Sequence, residues 1–526
     1  MGHIHMPEGD TRAAHVGSSP YTSNGSRRSS SNSVLSYDGT AMLYGDYPDS
    51  GLDVLIVGAG LAGLTAAIEC VRKGHRVRVL ERGADINTMG DMYFMGLSGT
   101  KFFKHWPAMK AEYDEISMQS CFLETFKHDG ELMIPAMKVS ERLRAIGLDP
   151  NTPPGAFQMR PLVYKMFINQ AERLEIPFLF NKRVTRYFEH ENKAGVETDE
   201  GEKFEADVVI AADGIGSKSQ TIVGGKVRAA SSGRAMWRAV FPAEVLDKDP
   251  EVREFFSMKG EDPIVRTFLG PGTYGLTLNR EGTVVWIINH DATGTEKESW
   301  SHTVSSESVL ENMDKSLTSS TAPEWAPILK KLIALTPPDT IVNFELFWRN
   351  PQPMWHSPGA RVVQIGDCAH SFLPSSGNGA TQAIEDAVSL ASCLELGVKL
   401  DGKSAVPDAV RSHVRLRFLR CACAQKLGFS NAERLQDTDW NKVKIDPKKA
   451  QPKHPKWVWA HDPEEYVYDN YEKCLKGMRA GVPLDQDPNI PPNYPPGYKW
   501  EPWNIDEIMR DLEAGVAVEL GSGNWD

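Results

Sequence analysis

The stretch from Leu52 to Glu81 constrains this chain more than any other. Leu52 to Val57 has buried-strand character, Gly58-Ala59-Gly60-Leu61-Ala62-Gly63 is a glycine loop, Leu64 to Val71 reads as an apolar helix, and Arg76 to Leu80 as a second strand. Strand, tight turn, helix and strand in that order begin a doubly wound α/β sheet. Gly58 permits the turn, Gly60 lets backbone amides approach a pyrophosphate, and Gly63 lets helix and strand pack closely. The helix N-terminus favours the phosphate charge. Glu81 ends the second strand, where a carboxylate accepts hydrogen bonds from ribose hydroxyls. The unit predicts a dinucleotide site and leaves FAD and NAD as alternatives.

The rest of the chain is ample for further domains. Its 526 residues carry 58 Lys plus Arg against 70 Asp plus Glu, a net charge of −12, which argues against nucleic acid or an anionic membrane as the main partner. No apolar run is long enough to span a bilayer, and Met1 to Tyr21 contains no apolar signal core. Seven Cys without a CxxC fit thiols in a reducing compartment, so the expected location is cytoplasmic. Residues 1–49, with nine Ser between Ser18 and Ser36, are expected to be a disordered Ser-rich tail. Residues 50–227 are expected to form the nucleotide-binding region, with a substrate-side hairpin near 120–136 around His128-Asp129-Gly130. Residues 228–350 are rich in strand-like segments such as Thr283 to Ile288 and are expected to form an inserted, mainly antiparallel substrate sheet. Residues 351–435 should return to the nucleotide fold. Residues 436–526 hold 11 of the 34 Pro and six of the 13 Trp, which predicts an irregular arm packed on the body, with few long helices.

Two later segments carry chemistry. Phe204 to Ala212 reads as a buried strand leading into Asp213-Gly214. Arg361 to Ile365 reads as another, delivering Gly366-Asp367-Cys368-Ala369-His370 to its C-terminal end, where ligands of doubly wound sheets sit. After it, Pro374-Ser375-Ser376-Gly377-Asn378-Gly379 has so little side-chain bulk that its backbone can lie flat on a ligand. Ala380, Ala383, Ile384, Ala387, Val388 and Ala391 repeat at helical spacing, so a helix starts near Gly379 with its positive end toward that ligand. Cys421 and Cys423 lie two apart on a helix and point to different faces, so they read as core thiols, and no His/Cys cluster has metal-ligand spacing.

Taken together, these three segments over residues 51–435 resemble the FAD-dependent aromatic hydroxylases of the para-hydroxybenzoate and salicylate hydroxylase type, and most of all their fungal natural-product monooxygenases. The strongest part is Gly366-Asp367-x-x-His370-x-x-x-Pro374-x-x-Gly377-x-Gly379 followed by Glu385-Asp386-Ala387. The resemblance implies FAD, with Gly58, Gly60 and Gly63 at the pyrophosphate, Glu81 on the adenosine ribose, and Arg160 in contact with the cofactor. It implies that Asp213 touches FAD and the pyridine-nucleotide path, that Asp367 bonds the ribityl chain, and that Pro374 to Ala380 line the ring. Where the family often has Gly-Ala-Gly after the second strand, this chain departs with Gly90-Asp91-Met92, which leaves Asp91 only a weak cofactor contact. His370 is expected to be a packed structural histidine. The implied reaction uses NADPH or NADH and O2 to form a C4a-hydroperoxyflavin that hydroxylates or rearranges an electron-rich phenolic, polyketide or indolic ring. Arg238 would favour the phenolate and Tyr274 would hydrogen-bond the substrate oxygen. The substrate-side Tyr-Pro doublet is missing, with Leu278-Asn279 near its place. A flavin-dependent halogenase and a non-catalytic flavoprotein-like scaffold are the alternatives. Val284-Val285-Trp286-Ile287-Ile288-Asn289 does not fit the halogenase pattern, and the intact flavin motifs argue against a scaffold.

Overall fold

Val208–Ala211 is buried at all four residues and Asp53–Val57 at four of five, the pattern of strands covered on both faces. They are the centre of a five-stranded, all-parallel sheet in the order Val362–Gln364, Val208–Ala211, Asp53–Val57, Arg76–Leu80, Phe178–Leu179. The computed structural model describes residues 49–526 together with the paired strands Ser33–Leu35 and Ala41–Leu43, apart from residues 146, 225–228, 281, 295, 297–298, 300, 320, 437, 439 and 446–450. Most of the Ser-rich segment at 1–49 therefore lies outside the described residues.

The helix after the glycine loop runs Leu61–Arg72, three residues earlier than its apolar pattern suggests, because Leu61, Ala62 and Gly63 are themselves buried. The expected strand Phe204 to Ala212 is in fact two. Lys203–Ala206 joins Val184–Glu189 and Ala194–Thr198 in a three-stranded antiparallel sheet, and only Val208–Ala211 enters the parallel one. Asp207 marks the switch: its carboxylate accepts the Asp53 N–H at 2.9 Å and pairs with Lys403 at 2.7 Å. Burial alternates before it and is continuous after it.

A second, eight-stranded sheet has the order Thr303–Val304, Ile341–Trp348, Ala230–Pro242, Thr283–Asp291, Thr273–Arg280, Ile264–Gly270, Phe122–Lys127, Leu132–Lys138. All neighbours are antiparallel except Ile264–Gly270 with Phe122–Lys127. Strand alternation gives it two apolar faces. Trp237, Ala239, Phe241, Trp286 and Ile288 pack on one side with Val252, Phe256, Leu329 and Leu332 from flanking helices. Met236, Tyr274, Leu278, Val285 and Ile287 point the other way, into a cluster with Met92 and Met159. Met92 and Met159 belong to the two-stranded sheet Met92–Gly96 with Gly155–Met159, so this second face is the seam toward the nucleotide fold.

The C-terminal arm is more regular than its Pro content suggests. Its prolines crowd residues 483–502 and leave room for the 17-residue helix Pro463–Arg479, whose first turn is capped by Asp462 Oδ1 on the amides of Glu464 and Glu465. Two buried charge networks tie the arm down. In one, Glu464 accepts from Arg72, Lys73 and His105, while Arg72 pairs with Glu69 at 2.6 Å and Lys73 with Glu395 at 3.1 Å. In the other, fully buried Arg420 holds Glu385 through Nε at 2.7 Å and Nη2 at 2.8 Å, and donates to the arm carbonyls of Trp457, Val458 and Asn493 at 2.6 to 2.8 Å. Arg417 holds Asp386 at 2.8 Å and Glu385 at 2.5 Å.

Burial pushes these carboxyls up, but Arg420 and Arg417 at Glu385, and His370 and Arg417 at Asp386, prevail and hold both well below the usual carboxylate range. Burial also opposes ionisation of Glu464, where His105, Arg72 and Lys73 prevail in the same sense. Because the folded values are depressed, the stability these groups contribute is complete above about pH 5, begins to fall near the ordinary carboxylate range around 4, and is lost only as pH drops through the depressed folded values. The thermal midpoint should therefore decline steadily below that pH. Arg420→Leu leaves Glu385 buried with one partner fewer and should cost about 3–5 kcal/mol, read as a lowered thermal midpoint at neutral pH; a midpoint equal to that of the natural protein would refute the anchoring role.

Candidate functional site

Gly58, Glu81, Asp213 and Asp367 all follow the C-terminal ends of strands of the parallel sheet. At Gly58 φ is +98°, and a Cβ there would lie 2.5 Å from the Ala212 carbonyl oxygen. A Cβ on Gly63 would overlap the Gly58 carbonyl. Gly60 differs: a Cβ there meets nothing nearer than 4.0 Å, at the Ala212 carbonyl and the Tyr164 hydroxyl. Two of the three glycines are thus required by the protein's own backbone, and the third faces open space at the start of the Leu61–Arg72 helix. Its lead residue Gly60 has no side chain to cap it, and the Leu61 amide is accepted by the Tyr164 hydroxyl at 3.2 Å. This is the geometry a pyrophosphate needs. Glu81 stands beside it, with Oε2 accepting the Ala59 amide at 2.9 Å and Oε1 the Gly83 amide at 2.8 Å.

The second and third motifs are physically joined. The Cys368 thiol donates to Asp213 Oδ1 at 3.3 Å and to the Gly214 carbonyl at 3.2 Å. Buried Arg349 reinforces this, donating to the Cys368 carbonyl and, at 2.7 Å, to that of Ile215. Burial pushes the Asp213 carboxyl above its usual range, partly offset by Ser217, Tyr187 and Cys368. Asp367 is open to solvent yet closely ringed by protein, as on the floor of a groove; that enclosure raises its carboxyl, against the opposing charges of His370 and Arg349. Pro374–Ser376 forms a single tight turn, Gly377 takes φ +59°, and the helix begins at Gly379 with Asn378 as its uncapped lead residue. The amides of Gly379 and Ala380 therefore open the first turn of a 23-residue helix with no side-chain acceptor, a setting for an anionic ring edge.

His370 is a structural residue, as its position in the motif suggests. Its Nε2 lies 2.6 Å from Asp386 Oδ2, which also accepts the Gly366 amide at 2.9 Å. Burial disfavours the imidazolium, but Cys421 and Asp386 raise it to about 10. Among the described residues His370, Asp386 and Cys421 bring ligand atoms within 4.8 Å of one another. Arg417 fills that place, with Nε on Asp386 at 2.8 Å and Nη2 on Cys421 Sγ at 3.3 Å, so a guanidinium already supplies the cation. All seven Cys are free and buried.

On the substrate side, Arg238 and Asp91 meet. Arg238 shares the seam-facing side of its strand with Met236 and forms a two-point pair with Asp91, Nε at 2.5 Å and Nη2 at 2.7 Å. The Asp91 carbonyl accepts the Arg160 amide at 2.7 Å, and Arg160 lies 4.4 Å over the Tyr164 ring. Asp91, expected beside the cofactor, is thus the hinge between Arg160 and Arg238. Tyr274 lies on the same face; burial pushes its phenol up to about 12 although Arg234 and Arg238 pull the other way. A surface cavity of about 370 Å³ bordered by His356, Arg411, Phe418 and Trp500 contains none of these residues.

Sequence reasoning missed Arg349, Arg417, Arg420 and Thr381, whose Oγ1 accepts the Gly96 amide at 2.8 Å. Glu385-Asp386 stood in the quoted motif without a role, and its pairing with Arg417 and Arg420 depends on how the Gly379–Asp401 helix packs on Val406–Gln436, which one sequence does not show.

Two models described as FAD binding domains match the chain, at residues 53–91 and 137–416. The FAD-dependent monooxygenase fsr3 of Gibberella fujikuroi is 37% identical over 494 residues, 91% of this chain and 90% of that protein. The FAD-dependent monooxygenase dmxR9 of Cryptosporiopsis is 36% identical, covering 91% of each. Among solved structures, CtdE in complex with FAD and substrate 4 is 30% identical with a TM-score of 0.71, over 81% of this chain and 100% of that one. A salicylate hydroxylase substrate complex, 19% identical with a TM-score of 0.59 over 79% and 97%, shares the fold.

The glycine geometry separates folding from cofactor binding. Gly60→Ala should leave the thermal midpoint of the apoprotein within about 2 °C of the natural protein, since the methyl has room. The same variant should lose FAD affinity by about a hundredfold or more in a flavin-fluorescence titration, because the methyl stands where the pyrophosphate must approach. Gly58→Ala should fail in both assays.

Proposed function

This chain belongs to the family of FAD-dependent monooxygenases, and from that premise we propose that it uses NADPH or NADH and O2 to oxidise an electron-rich aromatic small molecule of a fungal natural-product pathway. The observation that carries the reading is the seam: an apolar, Met-rich face whose partly buried cation, Arg238, is oriented by a buried carboxylate, Asp91. The relatives named above come from fungi, and their shared flavin motifs support a common cofactor chemistry. CtdE has been solved with both FAD and a substrate, which supports a guest site beside the cofactor.

Gly60 and the Leu61–Arg72 helix would hold the pyrophosphate, Glu81 the adenosine ribose, Arg160 and Asp213 the middle of the cofactor, and Asp367 the ribityl chain. Pro374, Gly377, Gly379 and Ala380 would line its ring. When bound, FAD supplies the two-electron chemistry that activates oxygen. The chain's own residues supply the setting. The seam residues Met92, Met159, Met236, Leu278 and Ile287 exclude water. Arg238, locked by Asp91 and lying 5.7 Å from the Phe344 ring centre, favours the ionised form of a phenol placed beside it. Tyr274, with a phenol near 12, keeps its proton at neutral pH and can donate it in a hydrogen bond to the guest's oxygen.

The test is a screen of phenolic, anthraquinone and indolic compounds for stimulated NADPH consumption with oxygen-18 entering the product. Arg238→Met should retain bound FAD and its yellow colour yet lose about a hundredfold in product formation. Full turnover by this variant would overturn the assignment of Arg238, and the absence of labelled oxygen from every product would overturn the reaction class.

A further inference from the structure

The C-terminal arm reaches the loop Pro374 to Gly379, which would line the flavin ring. His454, in Pro452-Lys453-His454-Pro455, stacks on Phe94 with ring centroids 4.7 Å apart and planes 26° apart. Its Cε1 lies 3.7 Å from where a Cβ on Gly377 would be, and Phe94 flanks the same point at 3.5 Å. Gly377 belongs to the loop that would line the flavin ring, and Phe94 to the strand that holds Thr381 in the helix behind it. An arm residue therefore stands among the walls of the ring chamber.

Three observations set His454 apart from a packed core ring. Its backbone is pinned: the Lys453 amide donates to buried Asn431 Oδ1 at 2.7 Å, Asn431 Nδ2 returns a bond to the Lys453 carbonyl at 3.2 Å, and Pro455 follows. The residue keeps partial solvent exposure, and its ring edge stands at Gly377. Burial is the sole influence on its imidazole and pulls it down to about 4, with no charge or hydrogen bond among the described residues acting on it. The ring is therefore neutral at physiological pH, with one N–H donor and one bare nitrogen acceptor. A held imidazole with both functions unengaged, beside a ligand groove, is placed to meet a ligand.

We infer that His454 is a substrate-positioning residue, carried into the ring chamber by the arm, which hydrogen-bonds a phenol or quinone oxygen of the aromatic guest. The inference rests on the reading of the protein as an aromatic monooxygenase. Phe94 fixes the plane of the imidazole, so the bond sets the orientation of the guest rather than its ionisation.

The experiment uses full-length, FAD-loaded protein and two substitutions. His454→Phe keeps a ring on Phe94 and removes both nitrogens; His454→Asn keeps a hydrogen-bonding group. A hydroxyanthraquinone that perturbs the flavin absorbance is titrated into each, with FAD content measured in parallel. His454→Phe should bind the probe about three- to tenfold more weakly per bound flavin and release a larger share of consumed NADPH as hydrogen peroxide, with His454→Asn recovering part of both. Unchanged probe affinity per bound flavin in His454→Phe would overturn the inference. Diethyl pyrocarbonate mapping by mass spectrometry supplies a readout that needs no substrate. His454 should be acylated in the native FAD-loaded protein, and resistance until denaturation would overturn the inference too. If no aromatic probe binds the natural protein while His454 is acylated, the aromatic reading of the substrate fails and the exposure of His454 to the chamber stands.

Discussion

The groove depends on a buried cluster of charge more than on any single motif. Asp386 accepts the Gly366 amide and pairs with His370, so one carboxylate fixes both ends of the turn that presents Asp367. Arg417 joins Asp386 to Glu385, and Arg420 carries Glu385 on to three carbonyls of the arm. The cost of burying these ions is large, and a hydrophobic cluster of the same volume would be no less stable. What the ions add is direction. Each guanidinium presents several fixed donors to acceptors from different parts of the chain, which an apolar contact cannot do. The register among the Asp367 turn, the helix at Gly379 and the arm is thereby set by bond geometry.

That arrangement explains an arm rich in Trp and Pro. Proline-dense segments cannot satisfy their own backbone, so their carbonyls need donors from elsewhere. Arg420 supplies one to Asn493 and two more to Trp457 and Val458 of the short helix Lys456–Trp459, and Asn493 Nδ2 returns a bond to the Leu416 carbonyl on the helix that carries Arg420. The aromatic residues cover what remains: Trp525 packs edge-on against Trp457 and Tyr498 over Leu419 and Leu427. The arm is an integral layer of the molecule, and its helix Pro463–Arg479 locks onto the Leu61–Arg72 helix through Glu464.

Much of this was legible in the residues. The glycine loop, the strand ends at Glu81 and Asp213, and the helix at Gly379 are local patterns, and local patterns survive in one sequence. The two-faced sheet could be read in part, because alternation in Thr283 to Ile288 marks a strand without saying which face meets the cofactor domain. What stayed hidden was long-range. Asp91 and Arg238 are 147 positions apart and their pairing follows from how two sheets dock. The split at Asp207 follows the change from the alternating Lys203-Phe204-Glu205-Ala206 to the continuously apolar Val208-Val209-Ile210-Ala211. After its first residue, Pro463, the arm helix lies in a stretch from Glu464 to Val482 that contains no Pro, which an average over the whole arm conceals.

The pairing of Arg238 with Asp91 also changes what a cation at this seam can do. A bare guanidinium in an apolar chamber would draw in any anion, including chloride, and would lose its aim between turnovers. With Asp91 holding Nε and Nη2, the net charge at the seam is small and the orientation is permanent. The pair presents a fixed dipole whose positive end is the guanidinium, a gentler field than that of a bare cation. The Asp91 carbonyl meanwhile accepts from the Arg160 amide, so a displacement of Arg160 would be felt at Arg238 through one residue. The backbone between Gly90 and Met92 thereby ties the start of the Arg160–Arg173 helix to the eight-stranded sheet, its carbonyl engaging one arginine and its carboxylate the other.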